Sequence, residues 1–386
     1  MENISYTGIK DRSDKTVTGV ENMDPLEKAQ KEKIVFYLHK KQSIGGGLVF
    51  YMNLASAIAE LGKYKAYYIN IPNADLESRY LNDHIECLDI HNCDLSELEG
   101  ASFVVPLNYI FDFLTFAQEV RYGRILLFDW QPQQVDFLAA QFPTKRRNIC
   151  SLLEMFNSRH AVVFMDESCR FSGNRWLANG FEPSYVPVFP AEVTNIPPCY
   201  EIRGKKRISI GWMSRLDSDK IQSLINLLET IKNSQDINEV DLHIIGDGNQ
   251  KGKINLARYA GKIRFVFTSY LYGEERDRYF QENIDIAVTM GISALDTSRL
   301  GIPTVIPIVQ MRPFAGDQFV FPYDAAGFSL GWTKDDLASL GYQTYTIGEV
   351  VKMVYQENGK EHLGNACRQY CTENFDLANS AGLLID

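Results

Sequence analysis

Short apolar runs alternate with helical segments along most of this chain, and the alternation runs through the sequence twice. The apolar runs of the first half, which predict buried strands, lie at residues 34–38, 67–71, 103–107, 125–128, 161–165 and 185–188. The pattern restarts at residue 208, after a stretch that prolines interrupt. Strands that alternate with helices pair in parallel, so the sequence predicts an α/β protein with two parallel sheets.

Domain boundaries follow from the same alternation. The predicted units are a flexible N-terminal tail (1–32), a first parallel-sheet domain (33–190), a linker (191–207), a second parallel-sheet domain (208–360) and a final helical segment (361–386). The tail is charged and lacks apolar periodicity, which is typical of loosely ordered chain. The linker is rich in proline and polar residues, and we expect it to act as a hinge.

Composition limits the classes of protein to consider. The 386 residues suffice for two separate cores, and the net charge of −10 argues against a general nucleic-acid binder, which would need a basic face. The sequence shows no apolar run of about 18 residues, as a spanning helix would need, and no signal-peptide pattern at its N-terminus. Seven cysteines in such a chain predict reduced thiols and a cytoplasmic location.

One cluster of zinc-ligand residue types occurs in the first half. His84, Cys87, His91 and Cys93 fall within ten residues, but their spacing fits no common zinc motif. The same segment also has the pattern of a strand and a loop beside a core. We therefore expect no metal site.

Two cations lie between a predicted strand (208–210) and a predicted helix (221–231). Arg215 and Lys220 are five positions apart on this connection. Exposed N–H groups in the first turn of a helix add partial positive charge, so cations beside them favour an anion site. The alternative is a solvated loop with scattered charges.

Two further connections in the second half contain small residues. Gly246, Asp247 and Gly248 follow an apolar run at 240–245 and predict a tight turn after a strand. Farther along, Gly291, Ile292 and Ser293 separate a predicted strand (284–288) from a predicted helix (294–300). Another apolar run, at 304–308, predicts the next strand. Small residues at such a turn let backbone N–H groups approach a phosphate.

A glycine loop stands at the matching place in the first half. Gly45, Gly46 and Gly47 follow the first strand and precede a predicted helix at 48–61. The loop lacks the Lys-Ser/Thr ending of a nucleoside-triphosphatase loop and the spacing of a dinucleotide fingerprint. Both of those classes are therefore disfavoured.

Two aspartates are candidates for contact with sugar hydroxyls. Asp129 ends the strand at 124–129, on the edge where open α/β sheets place their ligands, although a turn-capping role explains it equally well. Asp296 lies in the first predicted turn of the helix at 294–300, where a carboxylate is favoured as a cap and could also accept hydrogen bonds from a sugar.

A compact basic patch, Lys145, Arg146 and Arg147, lies in the first half. Such a patch is usually a solvated face. In a protein that acts on lipid-linked sugars, it would instead lie near anionic headgroups at the inner face of the membrane.

The order of these segments resembles that of the GT-B glycosyltransferases, the nucleotide-sugar-dependent group that includes glycogen synthase and sucrose synthase. The resemblance implies two Rossmann-like domains that face each other across a cleft. It implies that Arg215 and Lys220 hold the diphosphate of the donor, and that the backbone of Gly291, Ile292 and Ser293 caps the distal phosphate. No metal or cofactor is implied beyond the nucleotide-diphosphate sugar itself.

The resemblance also assigns roles to other residues. It implies that Gly45, Gly46 and Gly47 face the donor phosphates and the acceptor, and that the final helix crosses back to the first domain. Asp296 falls where the family has the second glutamate of a paired-glutamate motif. The first glutamate should stand near Val288, which is neutral, and Phe128 occupies the place of a histidine that often precedes an acid such as Asp129.

The predicted function is transfer of a sugar from a nucleotide-diphosphate donor to a sugar hydroxyl on a cell-surface glycan of polysaccharide, capsule or lipopolysaccharide type, with net retention. Asp129 and Asp296 are the predicted catalytic residues. The altered acid motif and Phe128 favour an alternative, a non-catalytic subunit of the same fold that binds a nucleotide sugar or a partner glycosyltransferase. Epimerase or phosphorylase chemistry on this fold is a third reading.

Overall fold

A computed structural model describes residues 31–39, 46–72, 74–189, 196–203, 206–218 and 220–385 of the chain. Each half contains one six-stranded sheet. The strands of the first sheet are β1 (Glu32–Tyr37), β2 (Tyr64–Asn70), β3 (Ile85–Asp89), β4 (Ser102–Pro106), β5 (Arg124–Asp129) and β6 (Val162–Phe164). The strands of the second are β7 (Ile208–Met213), β8 (Val240–Ile245), β9 (Ile263–Thr268), β10 (Ile286–Thr289), β11 (Thr304–Pro307) and β12 (Phe319–Val320).

Helices connect most of these strands, as the alternation predicts. Those of the first half are α1 (Gly46–Glu60), α2 (Ala74–Tyr80), α3 (Ile110–Phe116), α4 (Gln134–Gln141), α5 (Arg146–Asn157) and α6 (Glu167–Asn174). Those of the second half are α7 (Ile221–Asn233), α8 (Gly273–Asn283), α9 (Ile292–Arg299), α10 (Lys334–Leu340), α11 (Ile347–Tyr355), α12 (Gly359–Asn374) and α13 (Leu377–Ile385). Of these described helices, none has the length and apolar content needed to cross a bilayer.

Both sheets have the doubly wound order. The first runs β3-β2-β1-β4-β5-β6 with parallel pairing throughout, and the second runs β12-β11-β10-β7-β8-β9 with only β12 antiparallel. The predicted α/β class with two parallel sheets is therefore confirmed. In each sheet the strand order reverses once, between β1 and β4 in the first and between β7 and β10 in the second. Ligands of open α/β sheets bind at the carboxyl ends of the strands beside such a reversal.

The strands are near-continuous apolar runs because helices cover both faces of each sheet. In β7, for example, Ile210 and Trp212 lie on one face and are fully buried, and Ser209 on the opposite face is buried as well. The segment predicted as a strand at 185–188 forms only a single bridge, between Tyr185 and Phe164. Pro187 has no N–H to donate, so the ladder does not continue past this bridge.

The later part of the predicted linker is attached to the second half. The Cys199 N–H donates to Gln281 Oε1 at 2.8 Å, and the Arg203 N–H donates to Asp285 Oδ1 at 2.9 Å. The buried Lys360 Nζ, at 2.7 Å from Asp285 Oδ1, completes this anchor. Residues 190–195, 204 and 205, like the tail at 1–30, lie outside the described residues. The hinge role of the linker stays a prediction. It does not extend to Cys199 and Arg203, because both are anchored to the second half.

The C-terminal segment contains two helices rather than one. α12 packs on α9 in the second half, whereas α13 packs on α1 in the first half. The Ser380 Oγ of α13 donates to Pro187 O at 2.8 Å, which fastens the last helix to the first half. The turn between α12 and α13 is therefore a second place where the chain passes between the halves.

Candidate functional site

The strand reversal in the second sheet brings two helix N-termini to one place. β7 and β10 are neighbours, and Met213, near the end of one, pairs with Thr289 at the end of the other. α7 follows β7 and α9 follows β10, so both helices begin at the carboxyl edge of these adjacent strands. Neither helix has a side-chain hydrogen bond at its N-cap. The N–H groups of two helices therefore contribute partial positive charge beside the reversal.

The two predicted cations lie on the β7–α7 connection. Lys220 is the N-cap residue of α7, and Arg215 lies two residues beyond the end of β7. The Arg215 side chain is 38% exposed, and its Nη1 is 3.2 Å from Asp217 Oδ2. Asp217 orients the guanidinium without burying it, so a ligand can still reach this cation.

Gly291 opens α9 in a conformation that favours glycine. Its φ is 58° and its ψ is −139°, and a Cβ built on it would meet no atom within 4 Å. Open space therefore lies beside this backbone, as a phosphate would require. Its N–H, however, donates to Leu330 O at 2.8 Å. The half-buried Ile292 and Ser293 form the first turn of α9 and bring further amides to the same edge.

The Gly246–Gly248 turn serves a different purpose from phosphate approach. A Cβ on Gly248 would lie 2.5 Å from the backbone of Leu216, and Gly246 has a φ of 130°. The Leu216 N–H donates to Asp247 O at 2.9 Å, so the turn supports the loop that carries Arg215. Both glycines are needed because two backbones approach each other too closely for a side chain.

Asp296 faces the protein interior. Its Oδ2 is 2.9 Å from Arg276 Nη1, and its Oδ1 is 3.6 Å from Arg299 Nε. Asp277 bonds the same two arginines, so the four charges form one buried cluster between α8 and α9. Burial raises the pKa of Asp296, and the two arginines oppose that shift. Contact of this carboxylate with a sugar stays a prediction; the position observed is that of a structural ion pair.

Asp296 also lies in the second turn of its helix rather than the first, because α9 begins at Ile292. Val288, where the family's first glutamate would fall, is fully buried within β10. No acid therefore stands at that position of the strand.

Two exposed tyrosines at this edge were not singled out from the sequence. Tyr270 and Tyr272 follow β9, are 43% and 65% exposed, and stack with ring centroids 6.4 Å apart. The Tyr270 hydroxyl donates to Asp247 O at 2.6 Å, which fixes its ring beside the Arg215 loop. Burial raises the pKa of Tyr270. The Asp217 carboxylate adds to this rise, whereas the Arg215 guanidinium opposes it. The sequence signal that could have indicated this surface is the pair of tyrosines two residues apart, directly after the apolar run that forms β9.

In the first half, Asp129 ends β5 and is buried. Its Oδ1 accepts the Gln131 N–H at 3.3 Å, whereas its Oδ2 has no hydrogen-bond partner. Burial raises the pKa of Asp129 well above its usual range, and the nearby Asp166 carboxylate adds to the shift. The buried Phe128, in the histidine's place, packs its ring against Trp130. The unpartnered Oδ2 can take part in one further hydrogen bond, such as one with a hydroxyl.

The glycine loop is described only from Gly46 onward, because Gly45 lies outside the described residues. Gly46 and Gly47 are the first two residues of α1. A Cβ on Gly47 would lie 3.6 Å from the Trp130 ring, which places this helix start beside the end of β5. The structure thus brings Gly47 and Asp129 to the same edge of the first sheet, joined by Trp130.

Asp166 caps α6. Its Oδ1 accepts the Cys169 N–H at 2.8 Å, whereas Ser168 lies inside the helix and contacts Ser329 of the second half. Burial raises the pKa of Asp166 to about 6. An aspartate directly before a helical run is a common N-cap, so the sequence signal was present.

The basic patch is exposed and carries aromatic neighbours. Lys145 Nζ lies 5.2 Å from the ring centroids of both Phe111 and Phe142, and the Arg146 guanidinium lies 4.6 Å from that of Trp176. Arg147 is exposed in the first turn of α5, and no acidic residue lies in that turn. Phe111 lies in α3, just after the carboxyl end of β4, so the patch flanks the ligand-binding edge of the first sheet.

Throughout the described part of the chain, no group of three or more His, Cys, Asp and Glu residues is arranged to hold a metal ion. His91, one of the zinc-ligand residue types noted in the sequence, makes an edge contact with the His39 ring, with the ring centroids 6.1 Å apart.

Comparison with known proteins identifies the fold. No family model and no curated protein matches the sequence. Among solved structures, sucrose-phosphate synthase from Thermosynechococcus elongatus matches with a TM-score of 0.59 and 12% identity, over 92% of this chain and 97% of that chain. A mutant of S. aureus TarM, in complex with fondaparinux, alpha-GlcNAc-glycerol and UDP, matches with a TM-score of 0.56 and 10% identity, over 92% and 99%.

The lipopolysaccharide outer core galactosyltransferase WaaB matches with a TM-score of 0.55 and 12% identity, over 91% of this chain and 98% of that chain. Each match spans both halves and nearly the whole of the compared structure. Likeness at such low identity establishes the fold, and the chain has the two-domain GT-B fold that the sequence resemblance implies.

Proposed function

We propose that this protein is a glycosyltransferase that uses a nucleotide-diphosphate sugar. The observation that carries the proposal is the meeting of two helix N-termini with Arg215 and Lys220 at the strand reversal of the second sheet. A diphosphate is a dianion or more at neutral pH, and helix N-termini with adjacent cations stabilise such charge. The same groups would stabilise the leaving diphosphate as its negative charge grows in the transition state.

The tyrosine pair supplies a surface for the nucleobase in this proposal. Tyr270 is tied to the loop that carries Arg215, so a base stacked on Tyr272 or Tyr270 would leave its diphosphate near that cation. The likeness to TarM supports a uridine nucleotide as the first donor to test, because that structure contains UDP.

The acceptor is proposed to bind at the carboxyl edge of the first sheet. Asp129 carries an unpartnered Oδ2 there, and Gly47 begins α1 beside Trp130. We propose that Asp129 orients the attacking sugar hydroxyl. The likeness to WaaB, a lipopolysaccharide outer core galactosyltransferase, supports a cell-surface glycan as the acceptor. Net retention is part of the proposal on the resemblance alone, and the anomeric configuration of the product, read by NMR, tests it.

A peripheral contact with the cytoplasmic face of the membrane completes the proposal. Lys145, Arg146 and Arg147 flank the acceptor edge, and their side chains stand among aromatic rings. Cations attract anionic headgroups, and aromatic rings favour the membrane interface. A lipid-linked acceptor would then reach the first half directly from the bilayer.

A donor screen tests the core of the proposal. The purified protein is heated with UDP-, GDP-, ADP- and dTDP-sugars, and with free nucleotides. A ligand that binds only the folded state raises the melting temperature, and 100-fold excess over Kd adds about 2.7 kcal/mol. A rise with one nucleotide class supports the donor site. No rise with any donor at millimolar concentration contradicts it.

The non-catalytic alternative is kept because Val288 and Phe128, both buried, replace acid and histidine of the family pattern. Release of nucleoside diphosphate in the presence of an acceptor extract separates the two functions. Tight donor binding without turnover across many acceptors favours the non-catalytic subunit.

A further inference from the structure

A short segment of the second half, residues 327–330, contacts the start of α6 in the first half. We call it the clasp. Glu167, the first residue of α6, donates its N–H to Gly327 O at 2.8 Å, and the Ser168 N–H donates to Ser329 Oγ at 3.1 Å. The first-turn N–H groups of a helix have no partner within that helix. Two of those in α6 are therefore satisfied by the other half of the protein.

The fit of the clasp depends on its backbone conformation. Gly327 has a φ of 57°, and a Cβ there would lie 2.5 Å from Glu167 Cβ, so no side chain can be accommodated. Phe328 has a φ of 63°, which is strained for an aromatic residue. Its ring contacts Tyr185 of the first half, with centroids 6.0 Å apart. Strain of this kind persists only where the surroundings hold it.

One peptide of the clasp connects the first half to the donor side of the proposed site. The buried Asp166 carboxylate caps α6, and the Leu330 N–H lies close enough to it to oppose the rise in its pKa that burial causes. The carbonyl of the same residue, Leu330, accepts the Gly291 N–H at 2.8 Å. A continuous path therefore runs from Asp166 through Leu330 to the glycine that opens α9.

We infer that Asp166 is a positioning residue for the donor, which acts through the Leu330 peptide to hold Gly291 and the first turn of α9 in place. This inference rests on the proposed function for its consequence in donor binding. The physical reason is that Gly291 has a φ of 58° and open space beside it, and the Leu330 carbonyl holds its N–H at 2.8 Å. The Gly291 carbonyl is held within the first turn of α9, where it accepts the Ala294 N–H at 2.9 Å. A carboxylate that accepts backbone N–H groups fixes them more strongly than a neutral group does.

Amide hydrogen exchange tests the path without any donor. In Asp166→Ala, we expect the amides of Leu330 and Gly291 to exchange about tenfold faster than in the parent. Leu330 loses the carboxylate beside its N–H, and its carbonyl, which accepts the Gly291 N–H, is then held less firmly. In Asp166→Asn, the side-chain oxygen can still accept an N–H, so most of the protection should return. Unchanged exchange at Gly291 in Asp166→Ala overturns the inference.

Two further variants separate positioning from general destabilisation. Thr346→Ala removes the N-cap of α11, a comparable loss that has no path to Gly291, and should leave both amides as in the parent. Gly327→Ala disturbs the clasp from the opposite side and leaves Asp166 intact, so it gives the answer if Asp166→Ala fails to fold. Faster exchange at Gly291 in Gly327→Ala supports the path, and unchanged exchange there overturns it.

Donor kinetics complete the test. For the best nucleotide sugar of the screen, Asp166→Ala should raise the donor KM by about tenfold, with partial rescue in Asp166→Asn and none of this change in Thr346→Ala. If the parent binds no nucleotide sugar, the proposed function fails while the exchange result still decides the path. If the parent binds a donor and Asp166→Ala exchanges faster at Gly291 but keeps the parent KM, Asp166 does not position the donor.

Discussion

Arg215 is the residue for which the proposed function implies the most direct contact with the donor. We expect Arg215→Ala to weaken binding of the nucleotide diphosphate by about 1.5–3 kcal/mol, the range for a hydrogen bond to a charged group, and Lys220→Ala to do the same. Isothermal titration measures the effect. Arg264→Ala is the matched control, since this 65% exposed arginine lies near the amino end of β9 and pairs with Asp241. Equal losses in Arg215→Ala and Arg264→Ala would point to net charge rather than a site.

Asp129 gives a prediction on pH. Its folded pKa lies well above the value of about 3.9 in an unfolded chain, because burial disfavours the charged form. Between these two pKa values, the folded protein keeps a proton that the unfolded chain has lost. The free energy of unfolding should therefore fall as the pH rises through this window, and Asp129→Asn should remove that part of the fall.

Urea unfolding of the parent and of Asp129→Asn between pH 4.5 and 8 measures this difference. Asp247→Asn removes an exposed carboxylate and serves as the control. A parent and an Asp129→Asn protein whose stabilities change in parallel over the whole range would show that Asp129 ionises freely in the folded state.

Residue type and position in the sequence were enough to place Arg215 and Lys220 between a strand and a helix, but not to decide what Asp296 does. The order of strand, cation and helix is local, so the sequence contains it. The partners of Asp296 are Arg276 and Arg299, and Arg276 belongs to α8, which a strand and a turn separate from α9. A helical carboxylate has the same local sequence pattern whether it faces solvent or a buried arginine. Only the packing of the helices determines which of the two it contacts.

At the scale of elements, the turn after β8 supports the loop after β7. Gly248→Ala would place a Cβ 2.5 Å from the Leu216 backbone, so we expect a loss of about 1–3 kcal/mol of stability from overpacking. The same displacement should move the loop that carries Arg215 and weaken donor binding. Gly252→Ala is the control, because a Cβ there meets no atom within 4 Å. Thermal melts and titrations that do not distinguish the two variants would contradict this account.

Strands and helices were largely predictable from periodicity, and their ends less so. The segment at 240–245 matches β8 as predicted, and that at 208–210 is extended to Met213 in β7. The clasp at 327–330 was not predictable, because its contacts lie on the other half of the chain. Gly327 and Phe328 adopt left-handed backbone there because of contacts with residues such as Glu167, which no local sequence pattern reveals.

For the whole molecule, the fold class was predictable because the alternation of strands and helices runs twice and breaks once. The order of strands within each sheet was not available from the alternation, and it decides where the ligand edge lies. The resemblance to GT-B enzymes implies two Rossmann-like domains, and the strand order observed in both sheets has the single reversal of a doubly wound fold.

Charge at the scale of the whole molecule makes the last prediction. The net charge of −10 should repel the protein from an anionic bilayer, so any binding must come from a local patch that also orients the molecule. Lys145, Arg146 and Arg147 lie at the start of α5, where the helix dipole adds to their positive charge. Each cation near an anionic surface contributes about 1 kcal/mol.

Sedimentation with vesicles checks this. The parent should bind vesicles that contain the anionic lipid phosphatidylglycerol and should not bind vesicles of pure phosphatidylcholine. Binding should weaken as salt rises, because the Debye length falls to about 3 Å at 1 M. The triple alanine variant of Lys145, Arg146 and Arg147 should lose it, whereas Lys251→Ala with Lys253→Ala, in the second half, should retain it. A triple variant that still binds would place the membrane contact elsewhere, and the first half would then not face the bilayer.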